Sequence, residues 1–197
     1  MGQYYHQIIE TFDSKGNLIK KVFRTQTESW FKNQSADHYN GLKLMEHSWW
    51  YNDFCNQFAH QLVDKPTRVA WVGDYTEEDE LEKIGVSYSE IWDLNDSDYE
   101  YTKETNFNMD SVKYLVNNDK KIYIDLQKYK EESNNGNWCI FPISLLTAIG
   151  CGRGSGDYHK ENDNFDIVGS WTWDRIYLTN DKPSDDFEEE DIYFKED

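Results

Sequence analysis

Apolar and polar positions along the chain alternate in two distinct periods. Residues Tyr4 to Phe12 and Leu18 to Phe23 are rich in β-branched and aromatic side chains, and the run Asp13-Ser14-Lys15-Gly16-Asn17 separates them. Two such runs around a Gly-Asn turn predict a β-hairpin. The polar stretch 24–41 reads as a loop. From Ser48 onward the pattern changes, with Trp50, Phe54, Phe58 and Leu62 falling four apart and Pro66 lying beyond. That spacing places large apolar groups on one helical face, so a helix is expected over about 48–63 with Ser48 as its N-cap.

Thr67 to Val72, closed by Gly73-Asp74, predicts a short buried strand, and Glu77 to Lys83 a short acidic helix. Residues 93–110 read as loop. Lys113 to Val116 and Lys121 to Leu126, joined through Asn117-Asn118-Asp119, predict a second hairpin. Trp138 to Leu146 is apolar but interrupted by Pro142, which suits an edge strand leading into a helical turn. Ile167 to Trp173 and Arg175 to Leu178 predict one or two late strands. Hairpins dominate and no βαβ alternation is visible. The expected fold is therefore α+β, an antiparallel or mixed sheet built from hairpins and packed with one main helix.

The chain has 197 residues, a length that fits one domain spanning 1–197 with an acidic C-terminal segment, 181–197. Mean hydropathy is low, at -0.91, but 16% of residues are aromatic, including eight Trp. Each buried ring removes a large apolar area from water, so the chain is expected to fold on aromatics rather than aliphatics. The three cysteines, Cys55, Cys139 and Cys151, form no C-x-x-C pair, and no structural disulfide framework or bound metal is expected. No stretch has the ~18 apolar residues of a membrane span, and the N-terminus lacks the pattern of a secretory signal or a myristoylation site. A reducing cytoplasm is the expected location.

Charge changes the picture most. The formal net charge is -18, and two tracts carry nearly all of it. Residues 74–104 hold twelve acids against Lys83 and Lys103, and residues 181–197 hold nine against Lys182 and Lys195. Such tracts disfavour direct binding to nucleic acid or an anionic membrane, which are held by Lys and Arg. They favour a basic protein partner. Within the tail, Ile192 and Phe194 alternate after the acids, which predicts that 191–194 dock as a terminal strand while 181–190 form an exposed acidic strap.

The most distinctive segment runs from Gly150 to His159, with glycine at 150, 152, 154 and 156. Glycine permits positive φ and close backbone approach to a ligand, the ingredients of an anion-binding nest. The segment matches neither the dinucleotide fingerprint nor the Gly-Lys-Ser/Thr phosphate loop, and no cofactor is implied. The ligand-binding candidates are Gly152, Arg153, Gly154, Gly156, Asp157 and His159, with Glu46 and His47 ahead of the main helix. Arg153 supplies a bidentate cation, Asp157 a carboxylate and the histidines groups that titrate near neutrality. His47 and His60 lie too far apart for one metal site on a helix, and the sequence around Ser155 lacks the context of a nucleophile elbow. Asp93, Asn95, Ser97 and Glu104 fall at positions 1, 3, 5 and 12 of a calcium loop, yet Asp98 stands where the turn needs glycine.

Met1-Gly-Gln-Tyr-Tyr5, Leu42 to Trp49, Val69 to Tyr75, Gly150 to Tyr158 and Val168 to Trp171 together resemble a group of uncharacterised bacterial and phage proteins. The resemblance spans most of the chain. It implies a bacterial or phage setting and brings no activity or catalytic residue with it. The expectation is an acidic interaction protein of a bacterium or phage, such as an inhibitor or an anti-defence or immunity-type factor, acting on a basic protein such as a nuclease. The alternative is a small-molecule or nucleotide-binding protein or enzyme built on the Gly150–Gly156 loop.

Overall fold

The computed structural model describes residues 4–24, 42–43, 48–92, 100–101, 106–133, 139–152, 158–160 and 165–194. The first hairpin forms as expected. β1 (Tyr4–Phe12) and β2 (Leu18–Arg24) pair antiparallel, with Gln7 opposite Phe23 and Phe12 opposite Leu18. Asp13 shapes the turn: its Oδ1 accepts from the amides of Lys15 and Asn17 at 2.8 and 2.7 Å. Gly16 closes it at φ +80°, a conformation that glycine adopts without a Cβ penalty.

On its other side β1 pairs antiparallel with β4 (Thr67–Gly73), Tyr5 lying opposite Gly73 and Glu10 opposite Arg68. β4 is buried on both faces. Val69 and Trp71 point into the larger core, whereas Ala70 and Val72 pack with Ile8 beneath Leu81, Ile84, Val86 and Ile91 of the following helical segment. This explains why the strand reads as a continuous apolar run rather than as an alternation.

The main helix, α1 (Asp53–His60), is shorter than 48–63. Ser48 is not its cap. Trp49 forms a β-bridge with Ile140, the Ser48 carbonyl accepts from the Phe141 amide, and the Trp50 amide donates to the Cys139 carbonyl. These bonds hold 48–50 against that segment, and a turn closed by the Asn52 amide on the Trp49 carbonyl follows, so the helix begins after Asn52, whose Oδ1 accepts from the amides of Phe54 and Cys55 at 3.0 and 3.2 Å. Phe54 and Phe58 then meet the edge of Trp71, with ring centroids 6.4 and 5.6 Å away. The acidic helix appears as α2 (Glu78–Lys83), followed by α3 (Ser89–Trp92).

The second hairpin is β6 (Tyr114–Asn117) with β7 (Ile122–Asp125). The chain then turns into α4 (Leu126–Glu132), where a strand end was expected. Asp125 caps this helix, its Oδ1 accepting from the amides of Gln127 and Lys128. The apolar run turns helical at Pro142, as expected: after the bridge at Ile140 the proline starts the buried α5 (Pro142–Thr147), where its missing N–H costs nothing, and β8 (Ala148–Ile149) follows. β9 (Arg175–Thr179) forms as expected, but 167–173 is not a strand. A 3-10 turn over Phe165–Ile167 leads into successive turns, and the amides of Gly169, Trp171 and Trp173 donate to Leu145, Leu146 and Val69. Those bonds run to a helix and to β4 rather than along one strand, and so form no ladder.

With β3 (Leu42–Lys43), β5 (Glu100–Tyr101) and β10 (Glu188–Glu189), ten strands among the described residues form one mixed, open sheet. Its order is β10-β7-β6-β9-β4-β1-β2-β5, with β3 beside β1 and β8 parallel to β4. The fold is α+β. Residues 25–41 and most of the calcium-like segment, 93–99 and 102–104, lie outside the described residues. Among the described residues no helix is long and apolar enough to cross a membrane.

Candidate functional site

The glycine segment leaves the carboxyl end of β8, directly beside the carboxyl end of its parallel neighbour β4. Gly150 is at φ +76°, and a Cβ there would fall 2.2 Å from Thr76 Oγ1. Thr76 in turn donates to the Gly73 carbonyl at 2.6 Å, which fixes the turn after β4 against Gly150. Gly152 is at φ +89°, and its Cβ position lies 3.7 Å from the Tyr158 carbonyl. The two described ends of the segment therefore meet, and the fully buried Tyr158 anchors the second of them. Of the candidate residues, Gly152 and the half-buried His159 are in place, while Arg153, Gly154, Gly156, Asp157, Glu46 and His47 lie outside the described residues.

A second site was not singled out in the sequence. It is a groove of about 370 Å³ between α4 and the C-terminal strap, lined by Ile124, Asp125, Lys128, Tyr129, Glu131, Glu132, Glu190, Asp191, Ile192 and Tyr193. Five carboxylates and one lysine border it. Ile124, Tyr129 and Ile192 are each buried to at least nine-tenths and supply an apolar floor.

The strap forms one wall because it is tied to β7. Glu188 and Glu189 pair parallel with Ile122 and Tyr123, and the amides of Glu188 and Glu190 donate to the Lys121 and Tyr123 carbonyls at 2.9 and 2.8 Å. The terminal strand thus lies at Glu188–Glu189, earlier than 191–194, because the backbone can pair with β7 whatever the side chains are. Glu189 accepts from Tyr123 Oη at 3.0 Å and forms an ion pair with Lys128. The Lys128 ammonium, followed by the Tyr123 hydroxyl, holds the Glu189 carboxyl below the usual carboxylate range. Lys121 pairs with Asp186 and lies 4.4 Å over the Phe187 ring.

Beyond β10 the tail docks by side chains. Phe194 is 1% exposed, its ring meets Tyr158 edge-on at 5.1 Å, and its amide donates to Ser133 Oγ at 3.0 Å. Docking of 191–194 and exposure of most acidic side chains over 181–190 agree with expectation. The same tail therefore walls the acidic groove and touches the residue that anchors the glycine segment. Chemically, the groove can hold a cation against carboxylates while covering an apolar stem. Among the described residues, no three His, Cys, Asp or Glu side chains gather closely enough to hold a metal ion.

Comparison with protein-family models, curated proteins and solved structures finds no match to this chain.

Proposed function

We propose that the protein is an acidic interaction protein that binds a basic protein partner through the face made by α4 and the C-terminal strap. The observation that carries this reading is the groove, which gathers Asp125, Glu131 and Glu132 from one part of the chain with Glu190 and Asp191 from another. Carboxylates arranged around a concave surface repel phosphates and attract Lys and Arg, so charge selects the class of partner and steers its approach. In the bacterial or phage setting that the sequence resemblance implies, the partner is a nuclease or another nucleic-acid-binding factor whose phosphate-binding surface the acidic face occupies.

The test is affinity capture from a bacterial lysate with two baits, the natural chain and a variant carrying Glu131→Gln, Glu132→Gln, Glu190→Gln and Asp191→Asn. A basic protein retained by the first bait and lost from the second supports the reading. Equal retention by both, or no basic protein on either, counts against it.

A second reading is favoured by the base of the glycine segment, where Gly150 and Gly152 both take positive φ at the carboxyl ends of two parallel strands. Such a position suits a small anionic ligand held by backbone amides, with Arg153 as its clamp. Loss of ligand protection on Arg153→Ala, in a thermal-shift screen of nucleotides and phosphates, is its signature. A screen in which no such compound shifts the melting temperature removes it.

A further inference from the structure

Resting on the basic-partner reading, we infer that the groove between α4 and the strap is an anchor pocket for one arginine side chain of the partner. Its floor and its rim have different chemistry. Ile124, Tyr129 and Ile192 are apolar and buried, whereas Glu131, Glu132, Glu190 and Asp191 are exposed at the mouth. A long cationic side chain satisfies both, because its aliphatic stem covers apolar surface while its charged head stays at the polar boundary. An apolar anchor would desolvate the carboxylates, and a phosphate or carboxylate ligand would be repelled by them.

Size and spacing narrow the choice. At about 370 Å³ the groove lies near the lower end of the roughly 300–1,000 Å³ range of ligand clefts, which suits one or two side chains rather than a folded element. Its carboxylates form no group tight enough for a metal ion. They border the mouth instead of converging, and a planar guanidinium with donors spread around its edge matches that arrangement better than the compact ammonium of lysine. Tyr193, 42% exposed, adds to the lining an aromatic side chain, of the kind that attracts a guanidinium. A net charge of -18 disfavours a second copy of the chain as the occupant.

The groove's one lysine, Lys128, is paired with Glu189 and also feels the charges of Asp191 and Asp125. The five carboxylates of the groove outnumber it, so the net charge there stays negative. Two of the carboxylates have local duties as well: Asp125 caps α4, and Glu131 accepts from Gln127 Nε2 at 2.9 Å. Glu190 and Asp191, which the tail contributes to the rim, are assigned the main part in holding the guanidinium.

The experiment is an NMR titration of the full chain with a blocked five-residue peptide carrying one arginine among serines and glycines. The same peptide with citrulline, which keeps the shape and loses the charge, serves as control, and one with lysine reports head-group preference. The inference predicts amide shifts at Ile124, Tyr129 and 190–193, at least tenfold weaker binding of the citrulline peptide and weaker binding of the lysine peptide. It also predicts a tenfold or greater loss of arginine binding in the Glu190→Gln, Asp191→Asn variant, whose exposed substitutions leave folding intact. Equal binding of the arginine and citrulline peptides overturns the inference, as do shifts confined to α2 or to the glycine segment. If the arginine peptide fails while a basic protein is still captured through these carboxylates, the anchor pocket falls and the interaction reading stands. If neither binds, both fall.

Discussion

Asp119, in the turn between β6 and β7, shows how a single residue ties distant strands together. Its carboxylate accepts from the Arg175 amide and Nε, both at 2.7 Å, and pairs with the guanidinium, which joins the second hairpin to the start of β9. The hydrogen bond from the Arg175 side chain, above all, holds the Asp119 carboxyl below its ordinary value of 3.8. A carboxylate depressed in the folded state contributes stability that is present above the unfolded value and is lost as pH falls through the folded one. Asp119→Asn is therefore expected to lower the melting temperature at neutral pH and to flatten its fall below about pH 4. Parallel acid-limb curves for variant and natural chain would show that the pair contributes nothing to stability. In the sequence Asp119 is only one of several turn-forming residues. Its partner lies 56 residues away, a pairing that local pattern does not reveal. Ser48 failed as a cap for the same reason, since the bonds that hold its segment come from Cys139 to Phe141.

Elements with a strong local signal were legible: both hairpins and the apolar face of α1 by their pattern, and the central strand β4 by its continuous apolar run. α4 was not, because no glycine or proline separates it from β7 and Asp125 serves both as strand end and as helix cap. The tail was legible in part. Alternation of Ile192 and Phe194 disclosed docking, but β10 consists of two glutamates, whose backbone pairing with β7 carries no apolar pattern. Phe194 is the element's anchor, closed in by Tyr158 and Ser133. Phe194→Ala should cost about 3–5 kcal/mol, in the range of buried Phe truncations. It should also lower the melting temperature by on the order of 10 °C for a domain of this size. Amide exchange should rise both in 188–194 and at Tyr158, since the two are packed together. A variant that melts like the natural chain would show the tail to be an appendage.

At the scale of the whole molecule, charge placement was readable from the start, whereas the groove was not. Its two walls, 124–132 and 190–193, are separated by about sixty residues and become neighbours only because β10 joins the sheet beside β7. The glycine segment was visible for the opposite reason, since its unusual composition lies in one stretch. The proposed recognition of a basic protein rests on the charge of the acidic face. Its most direct test is the affinity of the purified chain for the captured partner, measured by calorimetry between about 0.05 and 0.5 M salt, a range over which exposed charges become strongly screened. Affinity is expected to fall at least tenfold across that range, with a flatter dependence for the carboxamide variant. Affinity indifferent to salt, or the same slope in both proteins, would contradict it.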